Sequence, residues 1–184
     1  MLYEITMAGF GGQGIMYLGD IIAEAALREG RETTFLPTYG VAMRGGTANC
    51  VVTISDEEIG CPLLDHPNAG IFMNQPSLLK YQPAIRPGGL IIANATIIER
   101  DVFTRHGDVR ILWIPATETA RTVIRAERSA NIVALGAFLA AEPVVQVATI
   151  EGIFREVSGS KKAVVEQNLA ALHAGIDLVK AQSL

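Results

Sequence analysis

A glycine motif near the start of the chain has the residue types and spacing of an anion-binding loop. Gly9, Gly11 and Gly14 form the pattern G-x-G-x-x-G between an apolar run, Leu2–Ala8, and a helix-like stretch, Ile15–Arg28. In this strand–loop–helix context the glycines allow a tight turn, close backbone approach and helix–strand contact, and free N–H groups face an anion. The motif therefore predicts ligand or subunit contact at Gly9, Gly11, Gly12, Gln13 and Gly14.

A dinucleotide such as NAD or FAD is one ligand that this motif allows. That interpretation predicts an acidic residue at the end of the second strand, where it holds the ribose hydroxyls. The second predicted strand, Thr33–Leu36, ends in Pro37-Thr38-Tyr39, and Glu32 lies at its beginning. The dinucleotide interpretation therefore lacks its main support. A stand-alone nucleotide- or dinucleotide-binding domain is kept as the alternative function.

A second glycine-rich loop follows that strand and contains Arg44. A guanidinium offers a planar fork to a carboxylate or a phosphate. Both loops follow the carboxyl ends of successive strands, the edge at which α/β sheets bind ligands. The candidate ligand or subunit contacts in this second loop are therefore Thr38, Tyr39, Arg44, Gly45, Gly46 and Thr47. Two further candidates, Asn74 and Gln75, follow a later strand. The structural alternative is that these residues only form turns and cap helices.

No set of residues forms a convincing catalytic or metal-binding constellation. Cys50 and Cys61 are too few for an iron–sulfur cluster, and the three histidines lack metal-ligand spacing. Ser55-Asp56 and the histidines at 66 and 106 lie in separate turns without a nucleophile elbow, so a hydrolase is not indicated. We expect both cysteines to be buried small apolar residues in a reducing compartment.

The elements that must position these loops alternate between strands and helices as far as Pro115. Two of the later strands are almost wholly apolar, which is typical of strands covered on both faces. The sequence therefore predicts one α/β domain over residues 1–184, a Rossmann-like, doubly wound, mostly parallel sheet of five or six strands with a helical C-terminal part. The predicted strands are Leu2–Ala8, Thr33–Leu36, Ala48–Ser55, Ala69–Met73, Gly89–Ala93 and Val109–Ile114.

Beyond Pro115 the pattern is helical. A helix capped by Ser129 and running to Ala141 is apolar nearly all round, so it is buried in the domain or against another subunit. This apolar helix and the chain's mean hydropathy of +0.31 indicate a surface intended for other chains. We therefore expect the protein to self-associate when its partners are absent. A final helix, Lys161–Ala181, is expected to pack on the domain's own sheet, with a coiled-coil partner as the alternative.

Composition argues against several classes of partner. The chain has 184 residues, a net charge of −4 and no cluster of Lys and Arg, so nucleic acid and anionic membranes are poor partners. No apolar run reaches the roughly 18–20 residues that span a bilayer, and no secretory leader is recognisable. We expect a cytoplasmic protein.

Three long segments resemble the gamma subunit of 2-oxoacid:ferredoxin oxidoreductases. They are GFGGQG at Gly9, PTYGVAMRGGTANCVVTISDEEIGCP from Pro37 and MNQPSLLKY from Met73. The likeness is nearest to the 2-oxoglutarate or branched-chain 2-oxoacid type. It continues into Ser129-Ala130-Asn131 and Asn168-Leu169-Ala170-Ala171, with Gly136 and Gly175, and so covers essentially the whole chain.

The resemblance implies one subunit of an enzyme complex that is inactive alone. Such complexes convert a 2-oxoacid, coenzyme A and oxidised ferredoxin into an acyl-CoA, carbon dioxide and reduced ferredoxin. Thiamine diphosphate and iron–sulfur clusters are attributed to partner subunits: alpha and beta thiamine-binding subunits, and a ferredoxin-like subunit or ferredoxin. The gamma subunit is expected to pack on the thiamine-binding subunits and to help form the coenzyme A side of the active site. Which 2-oxoacid is used is expected to depend on the partners.

Overall fold

A six-stranded sheet forms the centre of the computed structural model, which describes residues 1–39, 46–60, 66–105, 107–157 and 161–182. The strand order is β2-β3-β1-β4-β5-β6, and the pairs β1–β4, β4–β5 and β5–β6 are parallel. Only β3 runs against its two neighbours. The predicted mostly parallel sheet is confirmed. The strands are β1 Leu2–Phe10, β2 Glu32–Tyr39, β3 Thr47–Ser55, β4 Ala69–Phe72, β5 Leu90–Asn94 and β6 Arg110–Ile114.

Helices cover both faces of the sheet. On one face a core of apolar side chains joins Ile5, Val52 and Ile92 of the strands to the longer helices. On the other face a smaller core joins Phe72 and Ile91 to a short helix, α2. Successive residues of β5 point into opposite cores, which is why that strand is apolar throughout. The helices are α1 Ile15–Arg28, α2 Gln75–Tyr81, α3 Ala116–Thr122, α4 Ala130–Ala141, α5 Val147–Val157 and α6 Lys162–Gln182.

The two glycine-rich loops lie at the same edge of the sheet. Strands β1 and β2 are both antiparallel to β3, so they run in the same direction and their carboxyl ends meet at one edge. The Gly11 N–H donates to the Gly46 carbonyl at 2.9 Å, which places the two loops side by side. The predicted common edge is confirmed for the described residues of the two loops, and the strand predicted after the second loop is β3, which pairs antiparallel with β2.

Helix α4 is buried within the chain's own fold. Every residue from Ala130 to Leu139 is buried, and α6 packs across α4 more closely than on the sheet. The predicted burial of α4 within the domain is therefore confirmed. The reason given for self-association is wrong, because this apolar helix is not available to another chain. Among the residues described, no helix combines the length and apolar character needed to cross a membrane.

Glycines allow the close crossing of α4 and α6. A Cβ added at Gly136 would lie 2.0 Å from the Leu172 carbonyl oxygen, and one added at Gly175 would lie 2.0 Å from the Val133 carbonyl oxygen. Both obstacles are helix backbone, which cannot rotate away as a side chain can. The two helices therefore approach at a distance that no larger residue permits.

Gly136→Ala should destabilise the protein, because the added methyl group forces the two helix backbones apart. Overpacking of this kind costs about 1–3 kcal/mol or more. The matched control is Gly152→Ala in α5, where a Cβ would meet nothing within 4 Å. There the better helix propensity of alanine should stabilise by up to about 1 kcal/mol. Denaturant unfolding of both variants checks this, and equal effects of the same sign would contradict the close crossing.

Candidate functional site

The first glycine-rich loop is held closed by the side chain of Gln13. Its Oε1 accepts a hydrogen bond from the Phe10 N–H at 2.7 Å, and its Nε2 donates to the Met73 carbonyl at 3.2 Å. A Cβ at Gly9 would lie 2.7 Å from Gln13 Oε1. Gly9 therefore leaves room for the folded-back glutamine. It does not form the predicted tight turn, because it lies within β1.

The backbone donors of this loop are largely used within the protein. The N–H groups of Phe10, Gly11 and Gln13 bond to Gln13 Oε1, the Gly46 carbonyl and the Phe10 carbonyl. The prediction of several free N–H groups facing an anion is therefore wrong for these three. Within the described ranges, no partner is recorded for the N–H of Gly12. Since the Gln13 amide also bridges the carboxyl ends of β1 and β4, the geometry disfavours a dinucleotide pyrophosphate on this loop.

The end of β2 weakens the dinucleotide alternative further. Thr38 and Tyr39 end the strand, whereas Glu32 begins it at the opposite edge of the sheet. Thr47 is paired with Phe10 and so lies beside the first loop, whereas Thr38 is paired with Asn49 and is separated from β1 by β3. Arg44 and Gly45 lie outside the described residues, and Gly46 contributes the carbonyl that accepts from Gly11.

Asn74 and Gln75, predicted as further contacts, have structural roles. Asn74 is fully buried and caps α2, because its Oδ1 accepts from the Ser77 N–H at 2.9 Å. The Oε1 of Gln75 accepts from the Glu99 N–H at 3.2 Å. The structural alternative therefore accounts for both side chains, and Asn74 also contacts the loop through Gln13 at 3.4 Å.

A cleft of about 350 Å³ opens beside the first loop at the carboxyl edge of the sheet. After β1 the chain adds β2 and β3 on one side of β1, and it then adds β4, β5 and β6 on the other side of β1. The gap between β1 and β4 is therefore a topological switch point, the place at which α/β sheets bind ligands. Two of the predicted contacts, Gly12 and Gln13, form one wall. The lining residues are Gly12, Gln13, Met73, Ile97, Thr117, Glu127, Arg128 and Ala130.

Buried polar side chains brace the floor of the cleft. Asn94, at the end of β5, is 1% exposed and donates to Thr117 Oγ1 at 2.8 Å. Its Oδ1 accepts from the Thr117 N–H at 3.3 Å, and its Nδ2 lies 3.5 Å from the Met73 carbonyl. Gln13 donates to that same carbonyl, so the ends of β1, β4 and β5 and the start of α3 are joined by one network.

The residues of the opposite wall were not among the contacts predicted from the sequence. Glu127 and Arg128 lie in a short 3₁₀ helix, Glu127–Ser129, immediately before α4. Both are exposed, and among the described residues no ion pair neutralises Arg128. The signal available in the sequence was the position of this segment after β6, whose carboxyl end is at the same edge. Ser129 precedes α4 as predicted but makes no side-chain capping bond.

The described residues do not fit an iron–sulfur cluster or a bound metal ion. No group of three or more His, Cys, Asp or Glu side chains comes together in the described ranges. Cys50 is fully buried, its thiol donates to the Ile15 carbonyl, and burial raises the pKa of that thiol to about 12. It is therefore the inert apolar residue that the sequence predicts; Cys61 and His106 lie outside the described residues.

The sequence and the fold have counterparts in known proteins. The family described as pyruvate ferredoxin/flavodoxin oxidoreductase matches residues 4–178. Ketoisovalerate oxidoreductase subunit VorA of Methanothermobacter thermautotrophicus is 37% identical over 178 residues, which are 95% of this chain and 36% of that protein. This chain thus spans about a third of the length of that relative.

Two solved structures share the fold. The keto/oxoacid ferredoxin oxidoreductase gamma subunit from Geobacter sulfurreducens has a TM-score of 0.85 and 29% identity, and 98% of each chain is covered. The 2-oxoglutarate:ferredoxin oxidoreductase from Magnetococcus marinus, with 2-oxoglutarate, coenzyme A and succinyl-CoA bound, has a TM-score of 0.89 and 29% identity over 98% of this chain and 31% of that chain. The chain described here therefore belongs to the pyruvate ferredoxin/flavodoxin oxidoreductase family.

Proposed function

We propose that this chain is the gamma subunit of a 2-oxoacid:ferredoxin oxidoreductase and that its cleft forms one side of the coenzyme A site. The complex would convert a 2-oxoacid, coenzyme A and oxidised ferredoxin into an acyl-CoA, carbon dioxide and reduced ferredoxin. The observation that carries this proposal is the match of 98% of this chain to part of the M. marinus enzyme, which binds coenzyme A.

The cleft has the chemistry for part of coenzyme A. Arg128 supplies a guanidinium that forms no ion pair with a described acid, although Glu127 lines the same cleft, and phosphates are well matched to a guanidinium. Ile97 is 44% exposed and gives the cleft an apolar rim. A volume of about 350 Å³ lies near the lower end of ligand sites, roughly 300–1,000 Å³. Coenzyme A is larger than an ordinary ligand of such sites, so a second subunit would have to cover the remainder.

The reaction itself belongs to the partner subunits in this proposal. Thiamine diphosphate there supplies the decarboxylation chemistry, and iron–sulfur clusters carry the electrons. The described residues of this chain hold and orient the coenzyme A and exclude water from it. The partners would be alpha and beta thiamine-binding subunits with a ferredoxin-like subunit or ferredoxin, in the cytoplasm. In this proposal the partner subunits determine whether the substrate is a branched-chain 2-oxoacid or 2-oxoglutarate.

The purified chain alone should not decarboxylate any 2-oxoacid, because its described residues bring together no group of three or more His, Cys, Asp or Glu side chains that could hold a cluster, and thiamine diphosphate is assigned to the partner subunits in this proposal. Co-expressed with its partners, it should co-elute with them and restore coenzyme-A-dependent reduction of ferredoxin. Mass spectrometry of the native complex and an assay of each fraction check this. Turnover by the chain alone, with coenzyme A and an electron acceptor supplied, would contradict the subunit proposal.

In the assembled complex, Arg128→Ala should raise the KM for coenzyme A and leave the KM for the 2-oxoacid nearly unchanged. Losing a charge-assisted hydrogen bond costs about 1.5–3 kcal/mol, or roughly ten- to a hundredfold in affinity. Arg128→Lys should recover only part of the effect, because an ammonium lacks the planar fork. Arg44→Ala and Arg44→Lys are expected to change the KM for coenzyme A in the same way, because the sequence predicts that Arg44 also binds a phosphate or a carboxylate.

The control for Arg128 is Arg155→Ala. Arg155 is an exposed arginine of α5 that is paired with Glu151 at 2.9 Å and does not line the cleft. Steady-state kinetics on intact complexes decide the matter. An unchanged KM for coenzyme A in a fully assembled Arg128→Ala complex would remove Arg128 from the proposed site.

A further inference from the structure

The two walls of the cleft are connected by a hydrogen bond between Asn131 and Gly14. Asn131 Nδ2 donates to the Gly14 carbonyl at 3.2 Å, across 117 positions of sequence. Gly12 and Gln13 of one wall immediately precede Gly14, and Ala130 of the other wall immediately precedes Asn131. The bond therefore lies directly beside residues that line the cleft on both sides.

The Gly14 end of this bond is fixed by the start of α1. Gly14 is the N-cap of that helix, with φ 72° and ψ 28°, and its carbonyl also accepts the first helical hydrogen bond, from the Leu18 N–H at 3.1 Å. A Cβ at Gly14 would lie 2.3 Å from Asn131 Nδ2. Both the backbone conformation and the contact with Asn131 require glycine here.

The Asn131 end is fixed by α4. Asn131 is 5% exposed, and its Oδ1 accepts from the Ile132 N–H at 3.0 Å. The opposite orientation of the amide would place an oxygen against the Gly14 carbonyl and an NH₂ against the Ile132 N–H, so the surroundings allow one orientation. Because α4 is immobilised by its crossing with α6, the amide presents its donor from a rigid support.

We infer that Asn131 is a positioning residue, which holds the Gly12–Gln13 wall at a fixed distance from the Arg128 wall and so sets the width of the coenzyme A cleft. This inference rests on the proposed function for the identity of the ligand. The geometry of the bond does not depend on it. Asn131 does not line the cleft, so it acts through the loop and not by touching the ligand.

The test is Asn131→Asp, because aspartate keeps the shape of the side chain and the acceptor for Ile132 but replaces the donor with an oxygen facing the Gly14 carbonyl. The KM for coenzyme A in the assembled complex should rise about three- to tenfold, the equivalent of one lost hydrogen bond, and kcat should change less. In the full-length chain, amide hydrogen exchange over residues 10–18 should become faster. Asn131→Ala removes the amide without adding charge and serves as the second variant if the aspartate does not fold.

The matched control is Asn68→Asp. Asn68 is also 5% exposed and its Oδ1 accepts a backbone N–H, that of Glu4 at 2.9 Å, but it precedes β4 and so lies at the opposite edge of the sheet. This variant should leave both the KM for coenzyme A and the exchange of residues 10–18 unchanged. A role that is merely structural would lower stability in both variants without these effects.

The outcomes separate this inference from the proposed function. Faster exchange over residues 10–18 together with a raised KM supports the inference. Normal exchange and a normal KM in an assembled Asn131→Asp complex would overturn it, even if the complex uses coenzyme A as proposed. If the wild-type complex makes no use of coenzyme A, the proposed function fails; the role of Asn131 in holding the loop is then judged by the exchange measurement alone.

Discussion

The crossing of α4 and α6 is the constraint on which the rest of the site depends. Two helix backbones meet at Gly136 and Gly175 with no space for a side chain between them. This contact allows a helix that is apolar on all sides to be buried inside the fold. It also fixes the start of α4, which delivers both Arg128 and Asn131 to the carboxyl edge of the sheet. A site made of loops is thereby supported by one rigid helix.

The first glycine-rich loop has the sequence motif of dinucleotide-binding folds but uses its backbone N–H groups differently. In dinucleotide-binding folds the loop N–H groups remain free for a pyrophosphate. Here the Gln13 amide takes one of them and bridges β1 to β4, and a second loop takes another through Gly46. The cleft consequently lies beside the loop, towards Thr117 and Arg128.

The fold was largely predictable because it depends on local patterns. Apolar strands and a helix from Ile15 to Arg28 follow directly from hydrophobic periodicity, and the common edge of the two loops follows from strand direction. Of the residues that line the cleft, the sequence analysis singled out only Gly12 and Gln13. Arg128 was not identified. The sequence places its segment after β6, at the same edge, but which of its side chains lines the cleft depends on how α4 packs against α6, and that is a long-range contact. The role of Asn74 could not be decided from the sequence, because capping and ligand binding use the same residue types.

The hydrogen bonds that close the loop around Gln13 affect how much conformational entropy is lost when a ligand binds. The N–H groups of Phe10, Gly11 and Gln13 are already bonded within the protein, and the Gln13 side chain is already in place before any ligand arrives. Under the proposed function, ligand binding has little disorder to remove from this wall, so the ordering cost falls on the flexible ligand and on the partner subunit that covers it. This chain would then supply a preorganised part of the coenzyme A site, and the affinity would be limited by the rearrangement of the partner subunit.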